Sequence, residues 1–262
     1  MAKIYGVDGS VKREVKLPSV FSTDYRPDLI KRAVLSVQSA KRQPYGADPM
    51  AGKRTSAHYH GRRRKRNTMM GRGIARMARI HGKVGGLSFR ARFVPQAVKG
   101  RQAHPPKPEK VWTKGMNSKE MAFAIRSCLA ASCSQDLVRK RGHIFESAVP
   151  IIVESGFEDM KKTREITGFM SKIGIEPELD RCKEKKERAG KAKMRGRRTR
   201  QKKCLLVIVS KPCNAVKALE NIPGVDVAEA SKLNAELLAP GAKAGRLLLI
   251  TEPSLEMLQK SY

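Results

Sequence analysis

The sequence predicts an α/β protein, a three-layer sandwich with a mainly parallel sheet, carrying a long extended basic internal loop. Three observations predict it. Beyond Trp112, short apolar runs alternate with helical patterns at short intervals, as in parallel sheets whose strands are joined by crossover helices. Residues 205–209, Leu-Leu-Val-Ile-Val, form a continuous run of the kind buried on both faces of a sheet. Between residues 41 and 110 the apolar periodicity stops, and glycine, proline and arginine take its place.

Each element follows in order. Residues 4–7 and 14–17 predict two short strands around the turn Asp8-Gly9-Ser10. After Pro27, which suits a first helical turn, Leu29, Ile30, Ala33, Val34 and Val37 recur at helical spacing, and the pattern is lost by Pro44. Asn117 with Glu120 has the spacing of a capping box, with Asn in place of Ser or Thr. Met121, Ala124, Ile125, Cys128, Leu129 and Ser132 then form one helical face. Residues 149–153 predict a strand. Residues 159–172 predict a helix with Ile166, Phe169, Met170 and Ile173 inward, closed by Gly174. Beyond the strand at 205–209 come a helix at 215–221, a strand at 225–228, a helical turn at 233–238, a strand at 247–251 and a helix at 254–260. The predicted organisation is a globular α/β domain of residues 1–40 and 111–262, an extended Gly/Arg-rich loop at 41–110, and a basic insertion at 181–204 within the domain.

Charge is distributed unevenly along this framework. The 262 residues include 55 Lys+Arg and 24 Asp+Glu, a net charge of +31. Residues 41–107 hold 18 cations against one acid, Asp48, and residues 181–204 hold 13 against Glu184 and Glu187. The remainder is nearly neutral. Self-repulsion of this size disfavours a free monomer without a polyanionic partner, and it disfavours enzymes of small neutral metabolites. The loop is too polar to bury a core of its own, so it is expected to be irregular and to take its shape from a partner. Two fully extended arms at ~3.3 Å per residue would reach on the order of 100 Å. The contact candidates in the loop are Arg54, His58, His60, Arg62, Arg63, Arg64, Lys65, Arg66, Arg72, Arg76, Arg79, Lys83, Arg90, Arg92, Lys99, Arg101 and Lys107. Those in the insertion are Lys191, Lys193, Arg195, Arg197, Arg198 and Arg200. Arginine bonds phosphates bidentately and stacks on unpaired bases. Tyr45, Tyr59, Phe89 and Phe93 offer further stacking surfaces, for bases or for neighbouring proteins.

Other chemistries fit less well. Gly71-Arg72-Gly73-Ile74-Ala75-Arg76 has Arg at the third glycine of a dinucleotide fingerprint and no strand before it. Residues 46–53 are one residue too long for a P-loop, and Arg54 stands where Ser or Thr would hold magnesium. An RNA-modifying enzyme with a nucleotide cofactor needs a glycine-rich turn after the first parallel strand, and Glu154-Ser155-Gly156 supplies one glycine. No catalytic constellation stands out. His58 and His60 have chelating spacing but lack further ligands near them in sequence, so they read as RNA contacts, with no metal and no cofactor expected. Cys128 and Cys204 fall in apolar patterns, and the odd count of five cysteines without a C-x-x-C pair suggests reduced intracellular thiols. No signal peptide, membrane span or basic amphipathic helix is expected.

Several stretches carry a family likeness: residues 94–101, Val-Pro-Gln-Ala-Val-Lys-Gly-Arg, with Ala103-His104-Pro105-Pro106-Lys107; Arg139-Lys140-Arg141-Gly142-His143; Ala189-Gly190-Lys191 before Arg195-Gly196-Arg197; and residues 238–247, Leu-Ala-Pro-Gly-Ala-Lys-Ala-Gly-Arg-Leu. With the order of domain, loop and insertion, the chain resembles the family of the universal fourth protein of the large ribosomal subunit. The His-Pro-Pro-Lys stretch is similar to the archaeal and eukaryotic branch, and the lack of a long C-terminal extension points to the archaeal type. The resemblance implies a non-enzymatic structural protein, cytoplasmic and in the ribosome. Its partners would be large-subunit ribosomal RNA, neighbouring large-subunit proteins and the nascent peptide. The loop would thread the RNA to the wall of the peptide exit tunnel, with its tip in residues 54–81.

Overall fold

The computed structural model describes residues 2–82 and 85–262, so the contact candidate Lys83 lies outside the described residues. The chain divides into two units, Met1–Lys41 with Thr113–Tyr262, and Arg42–Trp112.

The first unit contains β1 (Ala2–Tyr5), β2 (Val11–Val15), α1 (Pro27–Ala40), α2 (Ser118–Cys133), α3 (Gln135–Arg141), β3 (Ile151–Val153), α4 (Thr163–Lys172) and α5 (Glu176–Lys183). There follow β4 (Lys185–Glu187), α6 (Lys191–Met194), β5 (Thr199–Gln201), β6 (Leu206–Val209), α7 (Asn214–Glu220), β7 (Asp226–Glu229), α8 (Ala235–Leu238), β8 (Leu248–Thr251) and α9 (Glu252–Ser261). Six strands form one sheet in the order β2-β1-β3-β8-β6-β7. Every pairing in it is parallel except β1 with β2.

Strand alternation divides the sheet's side chains between two cores. Ile4, Ile152, Ile250, Ile208 and Ala228 lie side by side across five strands. They share one apolar cluster with Ile30 and Val34 of α1, Ile125 and Leu129 of α2, and Leu255 and Leu258 of α9. The next row, Ile151, Leu249 and Val207, belongs to a second cluster with Val138 of α3, Ile166, Phe169 and Met170 of α4, Leu179 of α5 and Leu219 of α7. Both faces are therefore covered by helices, which is why residues 205–209 read as an unbroken apolar run.

The elements depart from expectation where local bonding overrides pattern. The first two strands lie nearer the N-terminus than predicted, because the turn begins at Gly6: its N–H donates to the Ser10 carbonyl at 2.9 Å, and Gly9 N–H donates back to Gly6. Asn117 occupies the N-cap of α2 but makes no side-chain cap bond, and Glu120 pairs with Arg32 at 3.2 Å instead. The helix expected at 159–172 starts only at Thr163, after a separate 3₁₀ turn at Ser155–Asp159. Helices α3 and α5 carry too few inward apolar residues in too short a span to show a period.

Two buried charges knit the second half. Arg246 is fully buried, donates to the carbonyls of Cys204, Leu205 and Leu237, and pairs with Asp226 at 2.6 Å. Glu178, also fully buried, accepts from His143 Nδ1 at 2.6 Å, from the Ile144 N–H, and from two nitrogens of Arg181 at 2.8 and 2.6 Å. Burial alone would raise the Glu178 carboxyl, but hydrogen bonds from Arg181 and His143 outweigh it and hold it at about 2. Burial pushes the His143 imidazole down, so it donates as a neutral ring.

Glu178→Ala should cost about 3–5 kcal/mol in urea unfolding, since it strands Arg181 and the His143 N–H. Because the folded-state carboxyl is depressed from 4.5 to about 2, its stabilisation is complete above about pH 4.5 and is lost as pH falls towards 2. Acid titration of wild type against Glu178→Ala should show the two stabilities converging across that window.

Candidate nucleic-acid interface

The basic insertion is not the irregular loop that its composition suggests. β4 and β5 pair as an antiparallel hairpin with Lys186 opposite Arg200 and Glu187 opposite Thr199, and α6 lies between them. Like charges facing each other across a hairpin destabilise it in isolation. The root compensates: Arg181 donates to the Lys203 carbonyl at 3.0 Å, Gln201 donates to the Cys182 carbonyl at 3.0 Å, and Cys182 and Cys204 are buried together in the core. The Glu178 cluster thus fixes the base of the hairpin.

Beside that root lies a cleft of about 1120 Å³ lined by Arg141, Arg181, Lys185, Lys186, Arg188, Arg200, Lys202, Lys203 and Lys243, with His143 and Glu184. Arg141 Nη1 and His143 Nε2 are both buried and without a hydrogen-bond partner among the described residues. Burial, reinforced by the nearby Arg246 and Arg181, lowers Arg141 to about 10, which still leaves it charged at neutral pH. The free Arg141 donor in a cationic cleft suits a phosphate oxygen, and His143 Nε2, the lone-pair nitrogen of a ring that donates through Nδ1, suits a hydroxyl or a base-edge donor. The candidates at 191–200 in the basic insertion leave out Lys185, Lys186 and Arg188, which the hairpin brings to the cleft and whose stretch carries no apolar alternation that would mark a strand. Of the six insertion candidates, Lys193 and Arg198 pair with Glu187, whereas Lys191, Arg195, Arg197 and Arg200 are exposed without an acidic partner among the described residues.

The second unit has no helix or multi-residue strand among its described residues. Isolated antiparallel bridges join His58 to Arg79 and Arg79 to Ala91, so the chain repeatedly doubles back. Met69 and Ile80 are its buried large apolar side chains. Arg64, Asn67, Phe89, Phe93 and Lys99 adopt left-handed φ values of 57° to 69°, each costing about 1 kcal/mol. Arg62, Arg63, Arg64, Lys65, Arg66, Arg72, Arg76 and Arg90 are exposed. Other candidates are engaged internally: Arg79 donates to the carbonyls of Ala75 and Phe89, Arg92 to that of Val98, and Arg54 pairs with Asp48. Lys99 and Lys107 are exposed, and Arg101 is half-buried. Tyr45 stacks on Trp112, which Arg42 and Lys110 also cover, and Phe89 lies under Arg72. Tyr59 and Phe93 remain exposed. His58 and His60 are joined by His81, with ring centroids 4.2 to 4.7 Å apart.

The sheet edge where doubly wound folds bind nucleotides is closed by an acid. The carboxylate of Glu158 accepts from Ser210 N–H at 2.9 Å, Ser210 Oγ at 2.7 Å and Thr251 Oγ1 at 2.6 Å, spanning the C-terminal ends of β6 and β8. A fixed carboxylate there repels a phosphate. Burial raises the Cys128 and Cys133 thiols to about 12, far from a reactive thiolate.

The profile described as "Ribosomal protein L4/L1 family" matches residues 15–261. The protein named "Large ribosomal subunit protein uL4" of Nanoarchaeum equitans is 48% identical over 260 residues, covering 98% of this chain and 97% of that protein. Proteins of the same name in Archaeoglobus fulgidus and Methanocaldococcus jannaschii are 45% and 46% identical, covering 98% and 100% of this chain and 97% and 99% of their own lengths.

The stretch Val94 to Arg101 turns so tightly that a Cβ on Gly100 would stand 2.0 Å from the Val94 carbonyl oxygen. Gly100→Ala should therefore accelerate limited proteolysis within Arg42–Trp112 by about an order of magnitude, through local opening, while leaving the melt of the α/β unit unchanged.

Proposed function

Because the chain belongs to the ribosomal protein L4/L1 family, in its archaeal uL4 branch, we propose that this non-catalytic structural component of the large ribosomal subunit binds large-subunit ribosomal RNA, supports its assembly, and sends residues 41–110 along the RNA to the wall of the polypeptide exit tunnel. The observation that carries this reading is the segregation of charge: a nearly neutral sandwich bears two segments whose cations are mostly exposed and face few acids. In this reading the exposed arginines at 62–66 and Arg72, Arg76 and Arg90 meet phosphates and unpaired bases. Arg54, Arg79, Arg92 and Arg101 shape the loop that presents them. Lys191, Arg195, Arg197 and Arg200, with the cleft around Arg141 and His143, form a second RNA contact at the domain.

The left-handed residues of the loop support remodelling by a partner, since few buried contacts in that unit offset their cost. The exposed Val98, Val111 and Met194 suit neighbouring ribosomal components. Nascent peptide would pass the tip between Arg54 and His81. The proposed location, the cytoplasm and in the ribosome, rests on the family; no helix among the described residues is long and apolar enough to cross a membrane.

In a native lysate fractionated at moderate salt, the protein should sediment with large subunits; its recovery at the top of the gradient would sink the proposal. Deletion of residues 54–90 should leave a cooperative melt of the α/β unit and reduce incorporation into large subunits by about tenfold or more, through loss of phosphate contacts. Normal incorporation of the shortened chain would show that the loop is not an assembly element.

A further inference from the structure

We propose that His58, His60 and His81 form a binding site for a first-row divalent cation of the zinc type, which pins the two limbs of the loop tip together. The observation is the convergence itself. The sequence offers a His-x-His pair without a third ligand near it, and the fold supplies His81, 23 residues from His58, so that one ring nitrogen from each histidine falls within 4.8 Å of the others. Three imidazoles with one open coordination position are a donor set that suits zinc, and also copper and nickel.

The outer shell points the same way. His58 Nδ1 lies 3.0 Å from the Ser56 carbonyl. A carbonyl only accepts, so Nδ1 carries the proton and, in the neutral ring, Nε2 keeps its lone pair. His81 Nε2 lies 3.1 Å from the carbonyl of His58 and donates to it, which leaves Nδ1 as the lone-pair nitrogen. That Nδ1 is buried and has no hydrogen-bond partner among the described residues. Histidines that ligate metals donate their other N–H to a carbonyl or carboxylate in this way, which fixes the tautomer and aims the free nitrogen.

The ring nitrogens, within 4.8 Å of one another, must close to about 3.3 Å around an ion bound at ~2.0–2.1 Å, while the ring centroids, 4.2 to 4.7 Å apart, turn and spread slightly to aim them. Few buried contacts resist that movement. The cations at 62–66 oppose a second positive charge, so the expected affinity is modest, with a Kd on the order of 1 μM. In the free chain the open position is taken by water. This site is independent of the RNA-binding proposal, since it is read in the absence of RNA.

The test uses the full chain, stripped with a chelator and held in high salt. Cobalt(II) should bind with one equivalent and develop the visible absorption of a tetrahedral site, and zinc(II) should bleach it. His81→Ala and His60→Ala should each weaken binding by about tenfold or more, whereas His104→Ala, at a loop histidine outside the cluster, should not. Ring-nitrogen NMR keeps the test independent of variant folding: zinc should shift His58, His60 and His81 together and leave His104 and His143 in place. Absence of saturable binding, or binding that survives His81→Ala unchanged, would overturn the proposal. So would zinc shifts that omit His81.

Discussion

The rest of the protein depends on a sheet buried on both faces. Ile4, Ile152, Ile250 and Ile208 meet one helical layer, and Ile151, Leu249 and Val207 meet the other. Neither layer has room for an unpaired cation, because a buried charge without a partner is several kcal/mol too costly to retain. Arg246 enters only with Asp226 and three carbonyls around it. A chain with an excess of 31 positive charges therefore has to place them outside the sandwich, and the two insertions are where they go.

How each insertion is held differs. The hairpin of residues 185–201 stands on a rigid root in which Glu178, Arg181 and the Lys203 carbonyl join α5 to the strand entering β6. Its charges face a defined cleft. The unit Arg42–Trp112 instead shapes itself with backbone bridges, arginine-to-carbonyl bonds and a tight glycine turn, and it buries few apolar side chains. The first arrangement presents a preformed surface. In the proposed reading the second suits a segment that conforms to crevices in RNA, where arginine forks and exposed aromatic rings would find phosphates and bases.

Much of the fold was legible because both relevant periods were present. The alternating cores behind residues 205–209 and the helical face from Ala124 to Ser132 came through with boundaries shifted by one to three residues. What stayed hidden was non-local. Glu178 gives no sign in sequence that it will meet His143, 35 residues away. The hairpin in the insertion is stabilised by its root rather than by β-propensity, so Lys185, Lys186 and Arg188 looked like loop. At the candidate interface, composition located the cationic segments but could not separate arginines that face solvent, such as Arg62 and Arg63, from Arg79, whose guanidinium is bonded to Ala75 and Phe89. The third histidine was invisible for the same reason, since its position depends on the bridge between His58 and Arg79.

In the proposed function, affinity for large-subunit RNA resides in the segregated cations. The most direct measurement is the slope of log Kobs against log salt for the full chain on a large-subunit RNA fragment, compared with a chain in which the five cations at 62–66 are replaced by glutamine. Counterion release assigns each lost phosphate contact a slope change of about 0.7–0.9. That proposal requires a steep slope for the native chain and a reduction of roughly 2–4 units in the substituted one. A shallow native slope, or one that the substitution leaves unchanged, would contradict it.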